Sequence, residues 1–138
     1  MPNDPWVENF EAVLDALEEN ITLGKIRRIG LSNENPWGIM RFLQASKSSA
    51  TKIITVQNPY SLLNRLFEIG SAEICHRENI GLLAYSPLAF GVLSGKYRNG
   101  KTPSNSRLAL FERLARYSGE KSFEATERYA NLAHKVGL

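Results

Sequence analysis

Sulfur chemistry is nearly absent from this sequence: its one cysteine, Cys75, cannot form a disulfide within the chain and fits a reducing compartment such as the cytoplasm. No apolar run approaches the eighteen or so residues that a membrane-spanning helix requires. The opening residues, Met1-Pro2-Asn3-Asp4-Pro5-Trp6, have neither the basic nor the apolar region of a secretory signal. There is no long low-complexity stretch. The only histidines, His76 and His134, fall in expected helices and read as surface or helix-end residues, and no metal site is expected. The net charge of +3 does not imply nucleic acid as a partner. Lys and Arg are spread along the chain with no run longer than Arg27-Arg28, whereas a nucleic-acid surface concentrates them with interleaved aromatics.

What is present describes an ordinary globular chain, 138 residues with 43% hydrophobic and 22% charged residues, a length that fits one domain. Trp6, Phe10, Val13, Leu14 and Leu17 recur at spacings of three and four, which predicts an amphipathic helix over Trp6–Glu19. Gly24 breaks it, and Ile26–Leu31 reads as a short strand. Asn35-Pro36 is a cap and first-turn pair opening a helix with Ile39, Met40, Phe42 and Leu43 on its inner face. The β-branched run Ile53–Val56 is a second strand. A helix carrying Phe67, Ile69, Ala72, Ile74 and Cys75 ends near Asn79, and Ile80–Tyr85 is a third strand. Beyond it Ser86–Arg107 reads as a long loop, followed by a short helix over Arg107–Tyr117. A longer helix covers Glu120–Val136 with Phe123, Tyr129, Leu132 and Ala133 inward.

The strands begin at even intervals near Ile26, Ile53 and Ile80, and each is apolar throughout. Such a β-α-β-α-β cadence means parallel strands joined by crossover helices with both faces covered. Rossmann-like sheets share that cadence, so periodicity leaves a β/α barrel and other α/β folds open. Each strand ends in polar groups: Ser32-Asn33, Gln57-Asn58 and Tyr85-Ser86. Amides and hydroxyls of this kind can hydrogen-bond a carboxamide, and Tyr85 offers a flat face to an aromatic ring. A carboxamide-bearing aromatic ring describes nicotinamide. The plainer reading is that Ser32, Asn33 and Asn58 begin turns or cap helices.

Three blocks carry a resemblance to a known family. Gly24-Lys25-Ile26-Arg27-x-Ile29-Gly30-x-Ser32-Asn33 resembles the G-K-I-R-x-I-G-x-S-N strand of aldo-keto reductases. Gln57-Asn58-x-Tyr60-Ser61-Leu62-Leu63-Asn64-Arg65 resembles the strand and turn that follow it. Leu83-Ala84-Tyr85-Ser86-Pro87-Leu88-Ala89-x-Gly91-x-Leu93-Ser94-Gly95-Lys96-Tyr97 resembles a third segment of the family. The resemblance covers nearly the whole chain and is weakest over Met1–Asp4. Gln57–Arg65 and Arg116–Glu120 look most like the bacterial Tas-type NADP(H)-dependent branch.

The resemblance implies an incomplete (β/α)8 TIM barrel, with residues 1–138 a partial domain covering about strands five to seven. It implies that Ser32, Asn33 and Gln57 hold the nicotinamide carboxamide of NADP(H) and that Tyr85 stacks on its ring. Ser86 and Leu88, with Ala89 and Phe90, would lie along the ribose and pyrophosphate, and Lys96 and Arg107 near the phosphates. A lysine is an adequate point charge for a phosphate, and an arginine can fork onto one. Both are otherwise solvated loop charges. The family's catalytic Asp, Tyr, Lys and His have no counterparts here, and Tyr60 does not match the catalytic tyrosine. The expectation is therefore a portion of an NADPH-dependent reductase of aldehydes or ketones, inactive alone. The alternative is a cofactor-binding regulatory module of the kind that serves as a channel subunit. Three strands cannot close a barrel, so exposed strand edges and water-facing inner side chains are expected.

Overall fold

The computed structural model describes residues 8–47, 51–111 and 116–138. The chain divides into two compact units, one of Met1–Asn58 with Glu68–Leu83 and the other of Pro59–Phe67 with Ala84–Leu138. The first holds helix α1 (Phe10–Thr22), strand β1 (Ile29–Ser32), helix α2 (Pro36–Ser46), most of strand β2 (Ile53–Pro59), helix α3 (Ser71–Arg77) and the start of strand β3 (Gly81–Tyr85). The strands form an open, parallel, three-stranded sheet in the order β1-β2-β3, an α/β arrangement that is an incomplete barrel.

The core of the first unit gathers Leu14 of α1 with Ile29 and Ile53, packed by Leu17, Ile21, Phe42 and Leu43. Phe10 meets Phe42 edge-on with ring centroids 4.8 Å apart, which joins α1 to α2. The periodicity predicted a first helix from Trp6; that residue lies outside the described ones, and α1 runs from Phe10. Two strand starts shift from the expected ones because their N–H groups are used elsewhere. Lys25 and Ile26 both donate to the Asn20 carbonyl, finishing the turn after α1, so β1 starts at Ile29 instead of Ile26. Likewise Ile80 donates to Cys75 (2.8 Å), and β3 starts one residue later.

The expected helix over Phe67–Asn79 is two pieces, a 3-10 turn at Leu66–Glu68 and α3, separated by Gly70 at φ +89°. A left-handed residue cannot continue a right-handed helix. In α2 the Asn35 side chain accepts the Gly38 N–H (2.9 Å) and Pro36 opens the first turn, as the sequence implied. Met40 departs from the expected inner face: it is exposed, while Ile39 beside it is fully buried.

In the second unit, Ala89, Val92, Tyr97 and Tyr117 form the core, with Leu63, Phe90, Leu93, Leu108 and Phe123 around it. The long loop contains 3-10 turns at Ala89–Ser94 and Arg98–Gly100. The helix expected from Arg107 extends only over α4 (Arg107–Leu110), and residues 112–115 lie outside the described ones. The last helix, α5 (Glu120–Lys135), has Glu120 in its first turn and His134 and Lys135 in its last, the arrangement its dipole favours. Leu132, expected inward, is 57% exposed; the buried position of α5 is Thr126, whose hydroxyl is satisfied by the Ser122 carbonyl. Leu83 on β3 is 53% exposed, as expected of an open sheet. Among the described residues no helix is long and apolar enough to cross a membrane.

Candidate functional site

In the first unit the expected carboxamide-binding residues meet. Gly30, Leu31 and Ser32 pair with Thr55, Val56 and Gln57 across the β1-β2 ladder. The pairing continues past the end of β1, where the Asn33 N–H donates to the Gln57 carbonyl (2.9 Å). Side chains follow the backbone: the Ser32 hydroxyl donates to the Gln57 side-chain oxygen (3.3 Å), and the Asn33 amide donates to the Ser32 hydroxyl (3.4 Å). All three residues are solvent-exposed. Two amides and a hydroxyl in contact offer a planar ligand both donors and acceptors.

Two features allow this approach. Gly30 faces Thr55 where the register shifts between Ile29 and Gly30, and a Cβ there would run into the Thr55 hydroxyl and lie 3.0 Å from its carbonyl oxygen. Asn33 holds a left-handed backbone, φ 59°, which turns the chain sharply from strand to helix; asparagine tolerates that region better than most residues.

The turn is also held by Asn58, which the sequence left open between a ligand-binding amide and a turn or cap residue. Asn58, buried at the end of β2, donates its amide to the Glu34 carbonyl (3.1 Å). Together with the Asn33–Gln57 bond this clamps Asn33 and Glu34 to β2.

Residues of the second unit form another group. Tyr85 ends β3, half-buried, and its carbonyl accepts the Tyr60 N–H (3.3 Å). Ser86 (φ 53°), Ala89 (φ 47°) and Phe90 (φ 57°) are left-handed without being glycine, and Gly91 follows at φ +96°. Each such residue costs on the order of 1–3 kcal/mol, strain that persists only where the surroundings enforce it, and it clusters at ligand-binding loops. Here the enforcement is visible. The Ser86 carbonyl accepts Ala89 N–H (2.8 Å), the Leu88 carbonyl accepts Gly91 N–H (2.8 Å), and Ala89 and Val92 are fully buried beneath. The Leu88 side chain itself is exposed.

Lys96 lies over Gly91, where a Cβ would be 2.8 Å from the lysine Cε, and its ammonium is 5.3 Å from the Tyr97 ring centre. The Arg107 guanidinium is 5.9 Å from the Phe90 ring centre. Both cations therefore rest on aromatic faces of one loop, a positioning that the sequence did not reveal. Tyr97 anchors this loop. Burial pushes its phenol up, but the neighbouring Ser106 hydroxyl, the Leu108 N–H donated to its oxygen (3.3 Å) and the Lys96 ammonium outweigh that and lower it below the usual tyrosine value. Beside it a hollow of about 620 Å³ is lined by Val92, Tyr97, Leu108 and Phe123, with the Arg98–Glu127 ion pair in its wall. The Gln57–Arg65 motif continues into this unit, where Asn64 donates to the Tyr117 hydroxyl (3.1 Å) and Tyr129 to the Leu62 carbonyl (3.3 Å).

Cys75 is buried in α3, and that burial pushes its thiol up, which leaves it a poor nucleophile. His76 and His134 are exposed in the last turns of α3 and α5. No group of three or more His, Cys, Asp or Glu able to hold a metal occurs among the described residues.

The sequence model of the Aldo/keto reductase family matches residues 2–138. "Protein tas" of Escherichia coli (strain K12) is 50% identical over 139 residues, covering 96% of this chain and 40% of that protein. An "Aldo-keto reductase" of Babesia bovis is 43% identical over 130 residues, 90% of this chain and 46% of its own length. "Aldo-keto reductase yakc [NADP(+)]" of Schizosaccharomyces pombe is 34% identical over 119 residues, 86% of this chain and 34% of its own. The chain thus spans less than half the length of these curated relatives.

Proposed function

Because this chain belongs to the aldo/keto reductase family, we propose that it contributes part of the NADP(H) site of a reductase acting on aldehydes or ketones. The observation that carries this is the hydrogen-bonded set of Ser32, Asn33 and Gln57 at the carboxyl end of β1 and β2. Its mixed donors and acceptors suit a nicotinamide carboxamide. Tyr85 would stack on the ring, Ser86 and Leu88 would follow the ribose and pyrophosphate, and Lys96 and Arg107 would meet the phosphates. The strained 86–91 backbone and the two ring-supported cations are in keeping with an anionic, close-fitting ligand. When bound, the dinucleotide supplies the hydride. This chain's own groups orient the nicotinamide and neutralise phosphate charge.

On this reading residues 1–138 are one portion of a Tas-type reductase domain, corresponding to strands five to seven of the barrel, in a cytoplasmic enzyme with a small carbonyl substrate. No residue of the chain is assigned the proton transfer to the carbonyl oxygen, a step worth roughly a hundred- to ten-thousand-fold. The chain alone should bind NADPH without turning over an aldehyde panel. Fluorescence titration with NADPH should show Tyr85→Ala and Gln57→Ala each weakening binding about tenfold, equivalent to about 1.4 kcal/mol, with Cys75→Ser unchanged. Equal affinities for Tyr85→Ala and Cys75→Ser would remove the cofactor reading. NADPH oxidation that survives repurification and responds to Tyr85 would show that proton transfer is supplied within these residues.

A further inference from the structure

A different group of residues, at the amino-terminal ends of β1 and β2, is charged in a way the reductase reading does not use. After α1 the chain turns at Gly24 (φ +69°), and the bonds from Lys25 and Ile26 to the Asn20 carbonyl (3.0 and 3.3 Å) keep Lys25–Arg28 outside the sheet ladder. Two hollows adjoin the segment, and Arg27 and Arg28 line both. One, of about 430 Å³, is completed by Thr51 and Lys52 just before β2, by Ile54 within it and by Glu18 of α1. The other, of about 960 Å³ and more open, is completed by Lys25, Ile21 and Ile26.

Lys25, Arg27, Arg28 and Lys52 are all exposed, and none holds an ion pair among the described residues. The contrast within the chain is clear: Arg41, Arg77, Arg98 and Arg128 each hold a carboxylate at 2.6–2.9 Å. The Arg28 guanidinium donates to the Arg27 carbonyl (3.0 Å), which folds it back over the segment. Among the described residues Glu18 is the one acid lining either hollow, and the four cations gathered around them repel one another unless an anion joins them. The sequence disperses these residues between positions 25 and 52. The crossover from β1 to β2 brings them together.

We propose that this end of the sheet binds a small multivalent anion carrying two or more phosphate groups. A concave wall with forked guanidinium donors suits compact, multiply charged oxygen clusters. A single-stranded nucleic acid would need aromatic stacking surfaces, and among the described residues neither hollow is lined by an aromatic one. The site is separate from the proposed cofactor residues along the strands: Arg28 precedes β1 and Ser32 closes it, as Lys52 precedes β2 and Gln57 lies near its end.

The test is calorimetric titration of the chain with inorganic pyrophosphate and tripolyphosphate at about 0.15 M salt. Saturable binding that depends on these arginines is expected, tighter for tripolyphosphate. The double variant Arg27→Gln/Arg28→Gln should weaken it at least tenfold and Lys52→Gln several-fold, with unchanged far-ultraviolet circular dichroism. Lys96→Gln, a change in the proposed cofactor residues, should leave it intact. Absence of saturable binding overturns the proposal, as does binding that is lost with Lys96→Gln but kept in Arg27→Gln/Arg28→Gln. Tighter binding of a single-stranded oligonucleotide or of phosphatidylglycerol vesicles, with the same arginine dependence, also overturns it by assigning the patch to a macromolecular partner.

Discussion

Asn58→Ala removes the clamp that ties the turn after β1 to β2, and its cost can be worked from what the amide touches. The bond to the Glu34 carbonyl is 3.1 Å, and Asn58 is buried. A net hydrogen bond is worth about 1 kcal/mol, rising to about 3 kcal/mol if the orphaned carbonyl stays dry. Glu34 is only partly buried, so water can reach it, which places the expected loss nearer to about 1–2 kcal/mol. With a urea slope of about 1–3 kcal/mol/M, the unfolding midpoint should fall by roughly 0.5–1 M.

Asn58→Asp is the sharper variant. It keeps the shape but, when ionised, turns an acceptor toward the Glu34 carbonyl, so at neutral pH it should be less stable than Asn58→Ala. Protonation restores the donor, and burial also favours the neutral acid. Both raise the folded pKa of the introduced carboxyl above the unfolded value of about 3.9. A raised folded pKa gives stability that is complete below the unfolded value and is lost as pH rises through the folded one. Urea midpoints of Asn58→Asp relative to wild type should therefore recover as pH falls toward about 4. An Asn58→Ala midpoint within error of wild type, or an Asn58→Asp deficit independent of pH, would show that the clamp contributes nothing.

Gly30→Ala forces a methyl against the Thr55 hydroxyl and carbonyl, so overpacking should destabilise the chain by about 1–3 kcal/mol in the same urea assay; an unchanged midpoint would refute the close approach of β1 to β2. The pairing of Arg98 with Glu127, through two hydrogen bonds of 2.8 and 2.7 Å, holds the Glu127 carboxyl below the ordinary glutamate value. A depressed carboxylate stabilises the fold above the unfolded value of about 4.3 and loses that contribution as pH falls through the folded one. The stability difference between wild type and Glu127→Gln should therefore shrink between about pH 5 and about pH 3, and a difference constant across that range would sink the assignment.

Residue order alone determined the parts of this protein that depend on local chemistry. Runs such as Ile53–Val56, the Asn35-Pro36 pair before an apolar helical stripe, and the even strand spacing pointed to a parallel α/β chain, because strand, cap and crossover preferences act within a few residues. The motif blocks carried the family in the same way, and polar endings marked Ser32, Asn33 and Gln57, which the first unit does bring into contact. Boundaries were less legible: whether Lys25, Ile26 or Ile80 joins a ladder depends on which carbonyl its N–H reaches, a choice made by the turn before it. Tertiary structure alone decided that Asn58 holds Glu34, that Phe90 and Tyr97 support Arg107 and Lys96, and that Lys52 joins Lys25, Arg27 and Arg28. Each of these joins residues that local pattern reads separately. Contacts across a crossover or within a folded loop follow from how elements pack, and periodicity describes only the elements.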